Sequence, residues 1–236
     1  DALKTTPFLT ALKEGTLSED KYVNYIKNMW PIVYGFTDGL RNMLVRIARE
    51  EKLDEGTLEQ ISQADILRER QILGDISNRL SSKKGLIGNL ARQLREEMKH
   101  NKLWEGMLNC YGVDPLNEAE RFEKNRENFP EAVVQLHNQL MVTSKGRRPM
   151  THYGCQFSIE ASLIPCVTDV IYPGVTGNSL LYRGPESVAW GREHLARVDG
   201  KENAEMKHLR VSQRFLDRGV GKDIQDDTIT EVRKTL

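Results

Sequence analysis

"MTHYGCQFSIEASLIPCVTDVIYPGV", residues 150–175, is the most apolar stretch of the chain. A helix that is apolar on nearly every side needs other elements around it, so this segment is expected to be the central helix of the fold. Helical periodicity extends to the flanking segments. "PFLTALKEGTLSEDKYVNYIKNMW" reads as a short helix, a Gly-Thr break and a second helix capped by Ser18, with Glu19 and Asp20 at the positive end of its dipole. "PIVYGFTDGLRNMLVRIAREE" reads as a further helix, with Pro31 at its start or at a kink. "DEGTLEQISQADILRERQILGDISNRL" is polar but periodic, and "GLIGNLARQLREEMKHNKLWEGMLNCYGV" is a long amphipathic helix closing at Gly112. A short helix, another starting near Pro130 and the loop "GRRP" lead into the central helix. The loop "GNSLLYRGPES", a long helix from Val188 and a last short helix follow it. No run alternates like a strand, and no linker rich in Pro, Gly or Ser divides the chain. The expectation is a single all-α domain over residues 1–236, a bundle of about seven to eight helices.

Lys plus Arg and Asp plus Glu both number 34. That balance removes the electrostatic reason to expect nucleic acid or an acidic membrane as the main partner. No apolar run approaches the roughly 20 residues of a bilayer span. "DALKTTPFLTALKEG" lacks the charged-then-apolar organisation of a signal segment, so a cytoplasmic location is expected. Cys110, Cys155 and Cys166 are widely spaced and contain no CxxC, which argues for packing over a disulfide scaffold or a thiolate zinc site.

The chemistry-bearing residues gather in three segments. In "QLREEMKH", Gln93, Glu96, Glu97 and His100 share one helix face. A carboxylate three residues before a histidine suits a metal ion in a helical bundle, and a charged face also suits plain solvation. In "QFSIEASLIP", Glu160 carries the only charge between Arg148 and Asp169. A carboxylate among apolar helix neighbours has to be paired, protonated or metal-bound. The third segment, "EHLARVDGKENAEMKH", holds His194, Asp199, Asn203 and His208. Asp199 and Asn203 share a helix face. His194 is five residues from Asp199 and reaches that face only through a bulge, and His208 reads as lying outside the site.

These segments, in their order and spacing, resemble the haem-oxygenase-like superfamily, which contains TenA (thiaminase II), PqqC and the haem-oxygenase-like non-haem di-iron oxidases. "PFLTALKEGTLSEDKYVNYI" looks like the family's first two helices, and "NLARQLREEMKHNKLWEGMLNCYGVDP" looks like its third-helix signature. "SIEASLIP" looks like its central metal carboxylate, and "HLARVDGKENAEM" like its late helix. The resemblance spans nearly the whole chain and implies a haem-oxygenase-like bundle, a homodimer, and His100, Glu160 and Asp199 at ligand positions. Gln93 and Asn203 stand where the di-iron members have a carboxylate and a histidine, and an amide is a poor ligand beside those groups. Glu97 (or Glu96) and His194 are the residues that would compensate. The ligand set is then Glu97, His100, Glu160, His194 and Asp199, with Glu160 bridging. One iron, iron bound only with substrate, and a lost metal site remain open at this point.

The function implied by the resemblance is a non-haem iron oxidase that uses Fe(II), two ions in the family's pattern, and dioxygen. Its substrate would be a small amino-acid-derived or fatty-acid-like metabolite, with Glu160 as the catalytic centre's carboxylate. Arg147, Arg148, Arg183 and Arg192 are candidates to hold a substrate carboxylate. Tyr22, Tyr25, Trp30, Tyr34, Tyr153 and Tyr172 are candidates to line a pocket. Two alternatives stand beside it: a metal-independent PqqC-like oxidase, and a TenA-like hydrolase in which "SLIPC" places Cys166 as the nucleophile. A non-enzymatic binding module is the remaining reading.

Overall fold

The structure, a computed structural model, describes residues 6–145 and 149–195, the pairs 197–198 and 201–202, and single residues at 206 and 213. The helices are α1 (Pro7–Lys13), α2 (Glu19–Glu50), α3 (Glu55–Gln63), α4 (Arg70–Ser81), α5 (Leu86–Cys110), α6 (Pro115–Lys124), α7 (Glu131–Lys145), α8 (Pro149–Cys166), α9 (Tyr172–Thr176) and α10 (Ala189–Glu193). The fold is all-α, as the periodicity predicts. Its one extended feature among the described residues is a minimal antiparallel pair, β1 (Arg197–Val198) and β2 (Lys201–Glu202), with Val198 opposite Lys201. Among the described residues no helix is long and apolar enough to cross a membrane.

Two expectations about helix ends change. Pro31 neither starts nor ends a helix, because α2 runs unbroken from Glu19 to Glu50. A proline removes one backbone donor, and the flanking Ile26, Trp30, Ile32 and Tyr34 are all buried, so packing holds the helix across the missing bond. The long helix expected from Val188 stops at Glu193, and His194 caps it. The chain then enters β1. The sequence there reads Val198-Asp199-Gly200-Lys201, and Asp-Gly is a stronger signal for a hairpin than for a helix.

The apolar stretch is helical as expected, with a defect. After α8 the backbone widens into a π turn, Val167–Ile171, in which the Tyr172 amide bonds the Val167 carbonyl five residues back. Pro165 sits two residues before it. A proline that cannot donate and crowds the preceding turn is a usual cause of such a departure.

The contacts divide into two compact units. Unit 1 comprises Asp1–Lys27, Leu103–Pro115 and Tyr153–Leu236, and unit 2 comprises Asn28–Lys102 and Leu116–His152. In unit 1, α1 packs on the π turn and on α9. The approach is close: a Cβ on Gly174 would lie 2.7 Å from Leu12 Cγ and 2.9 Å from the Leu12 carbonyl oxygen. The Asn178 side-chain amide donates to the carbonyls of Gly15 (3.3 Å) and Leu17 (3.4 Å), which ties the loop after α9 to the turn after α1. At the end of α5, Gly112 takes φ +69°. Its amide bonds Asn109 and the next amide bonds Leu108, the Schellman pattern expected at this glycine.

In unit 2, α3 packs on α4. The Arg41 guanidinium joins α2 to the end of α3, donating to the Ala64 carbonyl at 2.8 Å and pairing with Asp38 at 2.5 Å. Lys52 closes α2 with the same Schellman hydrogen bonds as Gly112, but at φ +53° with a side chain present.

Two substitutions test this packing in urea unfolding. Gly174→Ala is expected to lower stability by about 1–3 kcal/mol, because the methyl has to displace backbone as well as side chain. Lys52→Gly is expected to raise it by up to about 1 kcal/mol, because glycine adopts the left-handed conformation without a Cβ clash.

Candidate functional site

In unit 2, α5 carries Gln93, Glu96, Glu97 and His100 at helical spacing, but these side chains have different surroundings. Glu96 accepts from Lys99 Nζ at 2.6 Å and from Arg95 at 3.4 Å, an ordinary surface arrangement. Glu97 is only 7% exposed and His100 only 5%. Glu97 Oε2 lies 3.2 Å from His100 Nδ1. Of the two glutamates, Glu97 is the buried one and the one beside His100. A neutral imidazole whose Nδ1–H donates to a carboxylate carries its lone pair on Nε2. A carboxylate behind a histidine in this way orients a metal-ligating ring and raises its basicity.

In unit 1, Glu160 is 8% exposed on α8, and His194, at the end of α10, is 6% exposed. His194 Nδ1 lies 2.8 Å from the Trp190 carbonyl, so Nδ1 bears the proton and the lone pair again falls to Nε2. Its ring stacks on Trp190 at 4.0 Å, and Trp190 meets Trp104 edge-on at 4.6 Å. Trp104 is fixed in turn, its indole N–H donating to the Ile26 carbonyl at 3.2 Å. Two tryptophans and a carbonyl thus hold this imidazole in place, although no long helix carries it.

Asp199 lies outside the described residues, as do Asn203 and His208. Among the described residues no three His, Cys, Asp or Glu side chains are grouped so as to hold one metal ion. Glu97 and His100 belong to unit 2, and Glu160 and His194 to unit 1. Carboxylate and imidazole are donor types that Fe(II) accepts.

The remaining candidates scatter. Arg183 is taken by Glu19 at 2.5 Å, and Arg192 is exposed. Arg147, Arg148 and the Tyr153 side chain lie outside the described residues. Trp30 is fully buried. Tyr22, Tyr25 and Tyr172 border a small cavity of about 20 Å³ within unit 1, room for roughly one water. Cys110 is partly buried and Cys155 and Cys166 are buried, and none of the three is in a disulfide. Burial pushes the Cys155 thiol up to about 11.

Two histidines escaped the sequence reading. His152 is fully buried on α8, its Nδ1 2.9 Å from Thr143 Oγ1 and its ring tight against Gly39, where a Cβ would lie 2.5 Å from Cε1. Burial first, and the Arg46 charge second, hold its pKa down to about 3. His137 is 3% exposed on α7, beside Tyr34 and Phe122. Burial and then Arg126 hold its pKa at about 4. The signal was there in "QLHNQL" and "MTHYGC", where each histidine sits among apolar helix neighbours and no carboxylate precedes it by a turn.

Compared with known proteins, the chain matches no family model, and no curated protein is significantly similar to it.

Both of these buried histidines make the fold sensitive to acid. Unfolded histidine takes up a proton near pH 6.5, whereas His137 and His152 resist protonation until about 4 and about 3. Between those values the unfolded state binds more protons, so stability falls as pH falls from about 6.5 towards 4, by up to about 1.4 kcal/mol per pH unit for each histidine. Urea unfolding across this range is expected to show the decline, and His152→Gln is expected to make it shallower by about half.

Proposed function

We propose that the chain is a non-haem iron oxidase of the haem-oxygenase-like kind, acting with dioxygen on a small amino-acid-derived or fatty-acid-like metabolite. The observation that carries this reading is the burial of His100 and Glu160, two of the three ligand positions that the resemblance implies, and of Glu97 and His194, the two residues that would compensate for Gln93 and Asn203. Ionisable groups are costly to bury, and metal ligation is one of the few arrangements that offsets that cost. Bound by carboxylates and imidazoles, Fe(II) supplies the electrons that reduce dioxygen.

The chain's own groups have separate tasks. Glu97, 3.2 Å from His100 Nδ1, would orient the ring for ligation through Nε2. The Trp190 carbonyl does the same for His194, and the Trp190–Trp104 contact fixes the ring's plane. Glu160 supplies an anionic oxygen donor from an apolar helix that excludes water. Glu96 has no part in it, being held at the surface by Lys99 and Arg95.

A second reading rests on Cys166. It is buried in unit 1, where its charge acts on Tyr25. Burial foremost, and Cys166 after it, raise the Tyr25 hydroxyl far above its usual range. A phenol kept protonated can donate a hydrogen bond to a thiolate but cannot take the thiol's proton, so hydrolysis through Cys166 requires a separate base. Loss of hydrolysis in Cys166→Ala, with dioxygen uptake intact, would favour this second reading.

Dioxygen uptake by chain loaded anaerobically with Fe(II) tests the first reading. Uptake is expected in the wild type and in Glu96→Ala, and is expected to drop at least about a hundredfold in His100→Ala and in Glu160→Ala. Uptake that survives His100→Ala and Glu160→Ala would refute it.

A further inference from the structure

Within unit 2 lies a cavity of about 730 Å³ that none of Glu97, His100, Glu160 or His194 lines. Its size falls within the roughly 300–1,000 Å³ of small-molecule sites. One part of its wall is apolar, formed by Ile66, Leu67, Leu116, Ala119 and Met141. The rest is charged, and the charges are not evenly matched. Asp38 pairs with Arg41, Asp65 with Arg68, and Glu123 with Arg126. Glu120 is shared between Arg68 and Lys124. Every carboxylate of the wall thus has a cation. Lys145 is the exception on the cationic side: it stands exposed on α7, among the described residues makes no ion pair, and acts on Asp38 only at longer range.

A cationic ligand would have to break a formed pair to find a partner here, whereas an anionic one meets a cation already waiting. Two neutral polar groups border the same space. The Tyr34 hydroxyl donates to Glu123 at 3.4 Å, and His137 has no hydrogen-bond partner at Nδ1. A buried polar atom left without a partner costs about 1–3 kcal/mol, which a ligand hydrogen bond would recover.

We propose that this cavity is a binding site for a small amphipathic organic anion, its apolar body against Leu67 and Met141 and its acidic group at Lys145. His137 gives the site a polar contact without charge, since burial keeps its ring neutral at physiological pH. The site is independent of the iron reading and stands or falls separately from it.

The test uses two fluorescent probes that differ by one acidic group, 8-anilinonaphthalene-1-sulfonate and the neutral N-phenyl-1-naphthylamine, titrated into metal-free full-length chain. Circular dichroism checks the fold of each variant. Saturable binding of the sulfonate is expected, with the neutral probe at least about tenfold weaker. Lys145→Met is expected to weaken the sulfonate about tenfold and leave the neutral probe unchanged. Met141→Trp, which places a bulky ring where the apolar body would lie, is expected to weaken both. Equal affinity for the two probes, no saturable binding, or sulfonate affinity unchanged in either variant would overturn the proposal.

Discussion

An ionisable side chain drawn into a helical interior has to be satisfied there, and that constraint shapes both units of this chain. His100 is satisfied by Glu97 one turn before it on α5. His194 is satisfied by the carbonyl of Trp190 and stacks on the Trp190 ring, which Trp104 meets edge-on. His152 is satisfied by Thr143 on one nitrogen. In His100 and His194 the nitrogen engaged is Nδ1, which leaves the ring in the tautomer that metal proteins use. In His152 and His137 burial and a nearby arginine exclude the proton, and the rings serve as neutral packing. The group that satisfies each buried ring thus differs: a carboxylate for His100, a backbone carbonyl for His194 and a hydroxyl for His152.

Much of this was legible in the sequence because it depends on local spacing. Helical periodicity predicts α5 and its Schellman stop at Gly112. The i, i+3 spacing predicts the Glu97–His100 contact, because a single helix brings those residues together whatever surrounds it. The lone charge in "QFSIEASLIP" predicts a buried Glu160. Where the reading departed, the deciding physics was either a competing local signal or a contact distant in sequence. Asp199-Gly200 was outweighed by helical periodicity, although the pair marks a hairpin, so the end of α10 was missed. Pro31 was given more power to break a helix than the packing of Trp30 and Tyr34 allows. Spacing alone did not separate Glu96 from Glu97; the lysine and arginine beside Glu96 and the burial of Glu97 do.

The large cavity of unit 2 was not legible at all. It is built from residues of α2, the turn before α4, α6 and α7, and no short motif joins them. Its identifying feature is a mismatch that only folding creates: carboxylates each paired with a cation, and Lys145 left over. The iron reading and the anion site thus rest on different kinds of information. One comes from motif spacing supported by burial, and the other comes from the fold alone.

The central claim is that the buried carboxylates and histidines hold iron, and metal retention tests it most directly. Chain loaded anaerobically with Fe(II), desalted and measured by mass spectrometry for metal, is predicted to keep about two iron ions. A Glu160→Ala chain with unchanged circular dichroism is predicted to lose them. Iron that washes out of the wild type, or that stays equally in Glu160→Ala, would contradict the account.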